Sequence, residues 1–284
     1  MTTSPNPFTR LVAVSLLAAS CLAQGLSGDF FAFDNGTGRD QKLPFEEQAA
    51  LLKRAGYAGM GIYSGTARIP ELLQALDAQK LRLLSIYVHC YVDGRAPAID
   101  PDIPEAIRQL AGRETMLMLT VQGNGPGAEE RAIANVREVA DLAAESGLRV
   151  CLYPHWGFYV ETTPDALRIA RKTGRANVGV ALNLFHTVLF HLNRCGEGYL
   201  DLAPLIRQSL PRLLMLSING IRFESGAPVI TTLDDGDYEV APFIRELGRA
   251  GYRGPVALQS YLVKGDLQEN LARSLRAWKR FRTR

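Results

Sequence analysis

Residues 148–183 read LRVCLYPHWGFYVETTPDALRIARKTGRANVGVALN, and this stretch decides the fold. LRVCLYPH and NVGVALN are short, β-branched and apolar on both parities, as strands covered on two faces must be. Between them TPDALRIARKTG carries apolar residues at three- and four-residue spacing, which predicts a helix. It opens at Thr163 as N-cap with Pro164 at the first helical position and stops at Gly174. Strand, helix and strand in that order form a βαβ unit, and its two strands must lie parallel.

The same alternation continues outward in both directions. The strands expected from Asp29 onward are DFFAFDN, GYAGMGIY, LRLLSIYVHCY, ETMLMLTVQ, LRVCLYPH, NVGVALN, LLMLSING and GPVALQSY. Helical periodicity separates them, glycines such as Gly56, Gly147 and Gly251 stop helices directly before strands, and a last amphipathic helix runs through DLQENLARSLRAWKRF. Eight β-α units in one chain of this length predict an α/β protein, a single-domain (β/α)8 TIM barrel over residues 24–284. A doubly wound open sheet would want a glycine-rich first turn, and GxGxxG is absent. The longer loops, 91–101 and 221–237, follow the third and seventh strands.

The composition is that of a globular protein: 284 residues, 47% hydrophobic, 21% charged, formal charge +3. No basic stripe of the kind nucleic acid requires is present, so no nucleic-acid partner is expected. Residues 1–23 form a separate expectation. Arg10 precedes LVAVSLLAASCLA, a run too short to span a bilayer, followed by small residues. This reads as a signal peptide with cleavage before Gln24. AASC also matches a lipobox, which would make Cys21 a lipid-anchored N-terminus. An exported protein, periplasmic or secreted, is expected, with no further apolar run long enough to cross a membrane. Cys90, Cys151 and Cys195 remain, an odd number without CxxC spacing, so neither a disulfide scaffold nor a cysteine zinc site is expected. The oligomeric state is left open.

In a barrel of this type chemistry sits at the C-terminal mouth of the strands. Strand alternation selects the side chains that point inward. The mouth is then expected to hold Asp34, Tyr63, His89, Gln122, Tyr153, His155, Asn183, Asn219, Gln259 and Tyr261, with Trp156, Phe158 and Tyr159 in the following loop and His186 three residues beyond Asn183. His191 falls outside the pattern and reads as a surface or loop residue, and Lys264 as a solvated loop lysine. Amides, phenols and imidazoles offer donors and acceptors to hydroxyl groups, and aromatic faces suit the C–H side of a ring. The ligand class expected is therefore a small carbohydrate.

At these residues, in YPHWGFYVET, NVGVALNLFH and GYRGPVALQSY, the chain resembles the xylose isomerase-like TIM-barrel superfamily of sugar phosphate isomerase/epimerase-like proteins. Metal-dependent members carry a Glu two residues before a His on strand five, an Asp three before a His on strand six, and a Glu on strand eight. The matching positions here hold Tyr153 before His155, Asn183 before His186, and Gln259. Both histidines are kept and all three carboxylates are replaced, so a hard cation such as magnesium is not expected. No cofactor is required; a zinc or manganese ion on His89, His155 and His186 is the remaining metal option. The resemblance implies proton transfer next to a carbonyl, as isomerisation, epimerisation or lyase-type elimination. His155 and His186 are then the candidate bases, Tyr153 a candidate acid, and Glu161 and Asp34 the acidic alternatives. The alternative is a barrel that has lost catalysis and binds sugars without turnover.

Overall fold

The structure, a computed structural model, describes residues 26, 28–63, 66–196 and 200–283. The expected signal segment, with Cys21, lies outside the described residues. The elements run β1 (Phe30–Phe33), α1 (Phe45–Ala55), β2 (Gly59–Ile62), α2 (Ile69–Ala78), β3 (Arg82–Tyr91), α3 (Ile103–Gln109), β4 (Met116–Gln122), α4 (Ala128–Glu145) and β5 (Arg149–Leu152). There follow α5 (Thr163–Thr173), β6 (Val178–Asn183), α6 (Leu184–Cys195), α7 (Ala203–Ser209), β7 (Leu213–Ile218), β8 (Gly220–Glu224), β9 (Ala227–Thr231), α8 (Val240–Arg249), β10 (Val256–Leu258) and α9 (Leu267–Phe281). Eight of the strands pair in parallel and close in the order β1-β10-β7-β6-β5-β4-β3-β2. The fold is a (β/α)8 barrel.

Two apolar cores follow from the alternation of side chains across each strand. One parity, with Val178, Val180 and Leu182 of β6 as examples, packs outward against the helices. The other fills the barrel with Phe31, Phe33, Met116, Met118, Cys151, Tyr153, Ala181, Met215 and Ala257. The interior is tight enough to dictate Gly61, where a Cβ would stand 2.5 Å from Ser85 Oγ and 2.8 Å from the Phe33 ring. Helix α9 closes the barrel from outside. Its Trp278 stacks on Phe30 with ring centroids 4.8 Å apart.

Three local readings differ from the sequence expectation. The N-cap of α5 is Thr162, not Thr163: its side chain accepts from the Asp165 backbone N–H while the Asp165 carboxylate accepts from Thr162. The capping box, worth about 1 kcal/mol, outweighs the threonine beside the proline. The segment 221–237 is not a plain loop, because β8 and β9 form an antiparallel hairpin in it. Finally, β6 does not run out into a loop. Helix α6 starts at Leu184, directly after Asn183, so His186 and His191 are both helical. Leu184, Val188 and Leu192 already carry the helical period that the strand reading hid.

Candidate active site at the barrel mouth

The amide at the end of β6 has a structural duty. Asn183 Oδ1 accepts from the His186 backbone N–H at 3.1 Å and so caps α6. Its Nδ2 turns the other way and donates to the Tyr153 hydroxyl. That hydroxyl is a hub. It lies 3.1 Å from the Tyr63 hydroxyl and 3.4 Å from Ser217 Oγ. Gln259 Nε2 donates to Tyr63 at 2.9 Å, and Asn35 Nδ2 donates to Gln259 Oε1. A chain of neutral hydrogen bonds thus crosses the mouth from the exit of β1 to β7. Burial pushes Tyr153 up to about 12 and Tyr63 well above the ordinary phenol value, so both keep their protons. Asn219, fully buried beside this chain, donates to the Gly220 carbonyl and leaves its Oδ1 without a partner.

Asn35 was not among the expected site residues, although parity singles it out after Phe31 and Phe33. The expected Asp34 is instead turned sideways in a short 3-10 segment. Its carboxylate accepts from the Tyr63 backbone N–H and faces Arg39, each at 3.3 Å. Burial, partly offset by Arg39, raises its pKa to about 6. Tyr261 also departs from the expectation. Strand β10 ends at Leu258, and the turn after Gln259 leaves Tyr261 half exposed, in none of these hydrogen bonds.

A second group gathers on the opposite wall. His155, just beyond β5, donates from Nδ1 to the Trp156 carbonyl at 2.9 Å. The Trp156 backbone N–H in turn donates to His186 Nδ1 at 3.4 Å. The two imidazole centroids are 4.0 Å apart, and Phe158 stacks on His155 at 4.2 Å. A carbonyl can only accept, so His155 carries its proton on Nδ1 and presents a bare Nε2. His186 accepts at Nδ1 and so carries its proton on Nε2. Burial lowers both, and with a smaller push from the neighbouring His155 it takes His186 down to about 3. Of the two expected bases, His155 therefore offers the lone pair and His186 a hydrogen-bond donor.

His89, on β3, accepts at Nδ1 from Thr120 Oγ1 at 2.7 Å and from Gln122 Nε2 at 2.9 Å, both on β4. It lies close enough to His155 to lower that residue's pKa across β4. Glu161, the acidic alternative, accepts from the Gly157 backbone N–H at 2.9 Å and thereby closes the β5–α5 turn. Trp156 packs edge-on against Phe190 beneath Arg194 at the rim. His191 sits away from this group, on the wall of a cavity of about 1000 Å³ outside the barrel, between α6, α7 and α8. Val188, Leu192, Ile206 and Phe243 make that wall mainly apolar, without the convergence of neutral polar groups found at the mouth.

The xylose isomerase-like TIM barrel family model matches residues 49–281, most of the chain. The chain belongs to this family. Among curated relatives it is 25% identical to the 3-dehydroshikimate dehydratase of Pseudomonas aeruginosa over 128 residues, which are 45% of this chain and 20% of that enzyme. It is 20% identical to the inosose dehydratase of Geobacillus thermodenitrificans over 248 residues, 75% of this chain and 80% of that one. The chain thus spans a fifth of the first relative's length and four fifths of the second's. The solved 3-keto-D-glucoside 4-epimerase from E. coli superposes with a TM-score of 0.70 at 16% identity, covering 89% of this chain and 99% of that one. At that identity the likeness is one of fold.

The family's metal positions do not fit a divalent cation in this chain. Tyr153, Asn183 and Gln259 bring no negative charge, and their oxygens are engaged with one another, with Asn35 and with the cap of α6. Among the described residues, no three His, Cys, Asp or Glu side chains gather closely enough to hold a metal ion. His155 and His186 meet, but His89 does not complete a trio with them.

Proposed function

We propose that this barrel is an enzyme of the isomerase, epimerase or dehydratase kind, acting on a small carbohydrate by proton transfer beside a carbonyl, with His155 as general base. One observation carries the reading: His155 holds its Nδ1 proton on the Trp156 carbonyl, which leaves Nε2 bare on the half-buried wall. An imidazole with burial-lowered pKa is unprotonated at neutral pH and available as a base. Its lone pair takes the proton from the carbon next to the carbonyl. The C–H electron pair becomes the new C=C bond, and the carbonyl π pair moves to oxygen. The proton returned to that carbon from the other face gives an epimer; returned to the former carbonyl carbon, while the hydroxyl on the first carbon passes its proton to the former carbonyl oxygen and becomes the new C=O, it gives an isomer. A β-hydroxyl that leaves as water, taking the proton held by the imidazolium as the carbonyl re-forms, gives a dehydration.

The names of the relatives support this choice, since two are dehydratases and one is an epimerase of a keto-glucoside. The neutral, half-buried lining of His89, Gln122, His155 and Trp156 favours hydroxyl-rich ligands. Export through residues 1–23, by secretion or by a lipid anchor at Cys21, belongs to the proposal. N-terminal sequencing of protein released from the host envelope tests it, and an intact Met1 in that material would reject it.

The chemical test is incubation with keto-glucosides, keto-inositols and ketohexoses in heavy water, read by NMR and mass. Deuterium entering the carbon beside the carbonyl, slowed by roughly 10²–10⁴ in His155→Gln, is the expected result. Calorimetric binding of the same compounds without exchange would instead leave the barrel as a sugar binder.

A further inference from the structure

The proton-transfer reading leaves one requirement open: something must stabilise the negative charge that gathers on the carbonyl oxygen. In this fold the replaced carboxylates no longer hold a cation for that task. From the arrangement around β3 and β4 we infer that His89 is the electrophile, a neutral imidazole fixed as its Nε2–H tautomer by Thr120 and Gln122. This inference rests on the proton-transfer reading of the same mouth.

Thr120 is fully buried, and its hydroxyl reaches His89 Nδ1 at 2.7 Å. Gln122 Nε2 donates to the same nitrogen at 2.9 Å and to Thr120 Oγ1 at 3.2 Å. An amide N–H has no lone pair to offer a donor, so Nδ1 must accept, and a neutral ring must then carry its proton on Nε2. The backbone behind the ring is fixed as well. The His89 N–H donates to Asp100 Oδ2 at 2.7 Å, and the Tyr91 hydroxyl donates to the other oxygen of that carboxylate at 3.2 Å. Nε2 has no protein partner among the described residues, and the ring is half-buried.

The mouth therefore holds imidazoles of opposite kind. His155, just beyond β5, offers a lone pair and His89, on β3, an N–H, on either side of β4. During the reaction the carbonyl π pair moves onto an oxygen that accepts from His89 Nε2–H, while the carbon-bound proton passes to His155 Nε2. His89 gives up no proton and no electrons, so the balance of the step is unchanged. Donors placed in advance at a developing oxyanion are worth about 10²–10³ in rate. Thr120 and Gln122 are positioning residues, acting through the tautomer they select.

The tautomer can be read without any substrate. Long-range proton–nitrogen NMR of protein labelled with ¹⁵N-histidine, assigned by His89→Phe, should show His89 as Nε2–H at pH 7.5. Gln122→Glu replaces a donor by an acceptor, which should invert the ring to Nδ1–H. Thr120→Val removes only the hydroxyl and should move the population partway toward Nδ1–H in a chain that keeps its volume. Where the heavy-water assay finds a substrate, His89→Phe and Gln122→Glu should each slow exchange about 10²–10³-fold.

A wild-type His89 in the Nδ1–H form, or a Gln122→Glu ring that does not invert, overturns the clamp. An inverted ring with undiminished exchange overturns the electrophile role. Absence of exchange in the wild type over the whole panel removes the underlying reading and the electrophile role with it, while the spectra still decide the clamp separately.

Discussion

The two walls of the barrel mouth are both built from neutral polar and aromatic residues and end in opposite states. On the β1, β10, β7 and β6 side, Asn35, Gln259, Ser217 and Asn183 are buried, and with Tyr63 and the wholly buried Tyr153 they satisfy one another. On the β3, β4 and β5 side, His89, Gln122, His155, Trp156 and His186 are half-buried, and each imidazole uses one nitrogen internally and keeps the other. The first wall holds shape; the second has chemistry to spare. Replacement of carboxylates by neutral groups made this difference possible, because amides and phenols can pair without a cation where carboxylates would repel one another.

Substitutions that disturb one wall at a time should separate these roles. The largest effect is expected on the open wall. His155→Gln removes the base and should lower exchange by roughly 10²–10⁴, with a urea midpoint close to that of the wild type. If instead the midpoint collapses and exchange persists in the folded fraction, the roles of the two walls are reversed.

Tyr153→Phe on the sealed wall should show the converse. Without the hydroxyl, Asn183 Nδ2 loses its acceptor and Tyr63 a neighbour, and leaving such buried groups unpaired costs about 1–3 kcal/mol. Equilibrium urea unfolding measures the loss, which should exceed that of any substitution at Trp156.

Titration should distinguish the open wall from Asp34, beside the sealed one, by sign. A histidine lowered to about 3, as His186 is, binds its proton in the unfolded chain first. Its contribution to stability is complete above an unfolded value of about 6.5 and is lost as pH falls toward 3, at about 1.4 kcal/mol per pH unit. The lowered His155 and His89 act in the same direction. Asp34 does the opposite. Raised to about 6 by burial, it holds a proton in the folded state that the unfolded chain releases near 3.8. It therefore adds stability below about 4 and loses it as pH rises to 6. The two slopes offset each other between about pH 4 and 6. Asp34→Asn should abolish the offset, so that unfolding free energy drops more steeply on acidification than in the wild type.

The smallest effect is expected at the rim. Arg194 lies over the Trp156 and Phe190 rings from an exposed position. Arg194→Gln should change stability by no more than about 0.5–1 kcal/mol and exchange by a few-fold at most. A larger loss would extend the open wall from His186 to the far end of α6.

Much of this organisation was legible in the chain. Two-residue alternation identified Ala181, Asn183, Tyr153 and Gln259 as inward-facing, because parity survives whatever the neighbouring strand does. The same rule applied to Phe31 and Phe33 reaches Asn35, whereas Asp34 stands on the opposite parity. Tyr261 misled by parity, since β10 stops after three residues and the turn carries the tyrosine outward. Helix α6 was missed because no loop residue separates it from β6, and its cap, Asn183, looked like a site residue alone.

Sequence by itself determined the barrel, its two apolar cores and the absence of charge at the family's metal positions, since these depend on residue type and local period. Tertiary structure alone decided which polar groups would exhaust one another and which would keep a free atom. That depends on distances between strands far apart in the chain, such as Asn35 to Gln259 or Trp156 to His186, and on the direction of each hydrogen bond, which fixes where an imidazole carries its proton. A single chain's letters specify donors and acceptors, but only closure of the barrel pairs them.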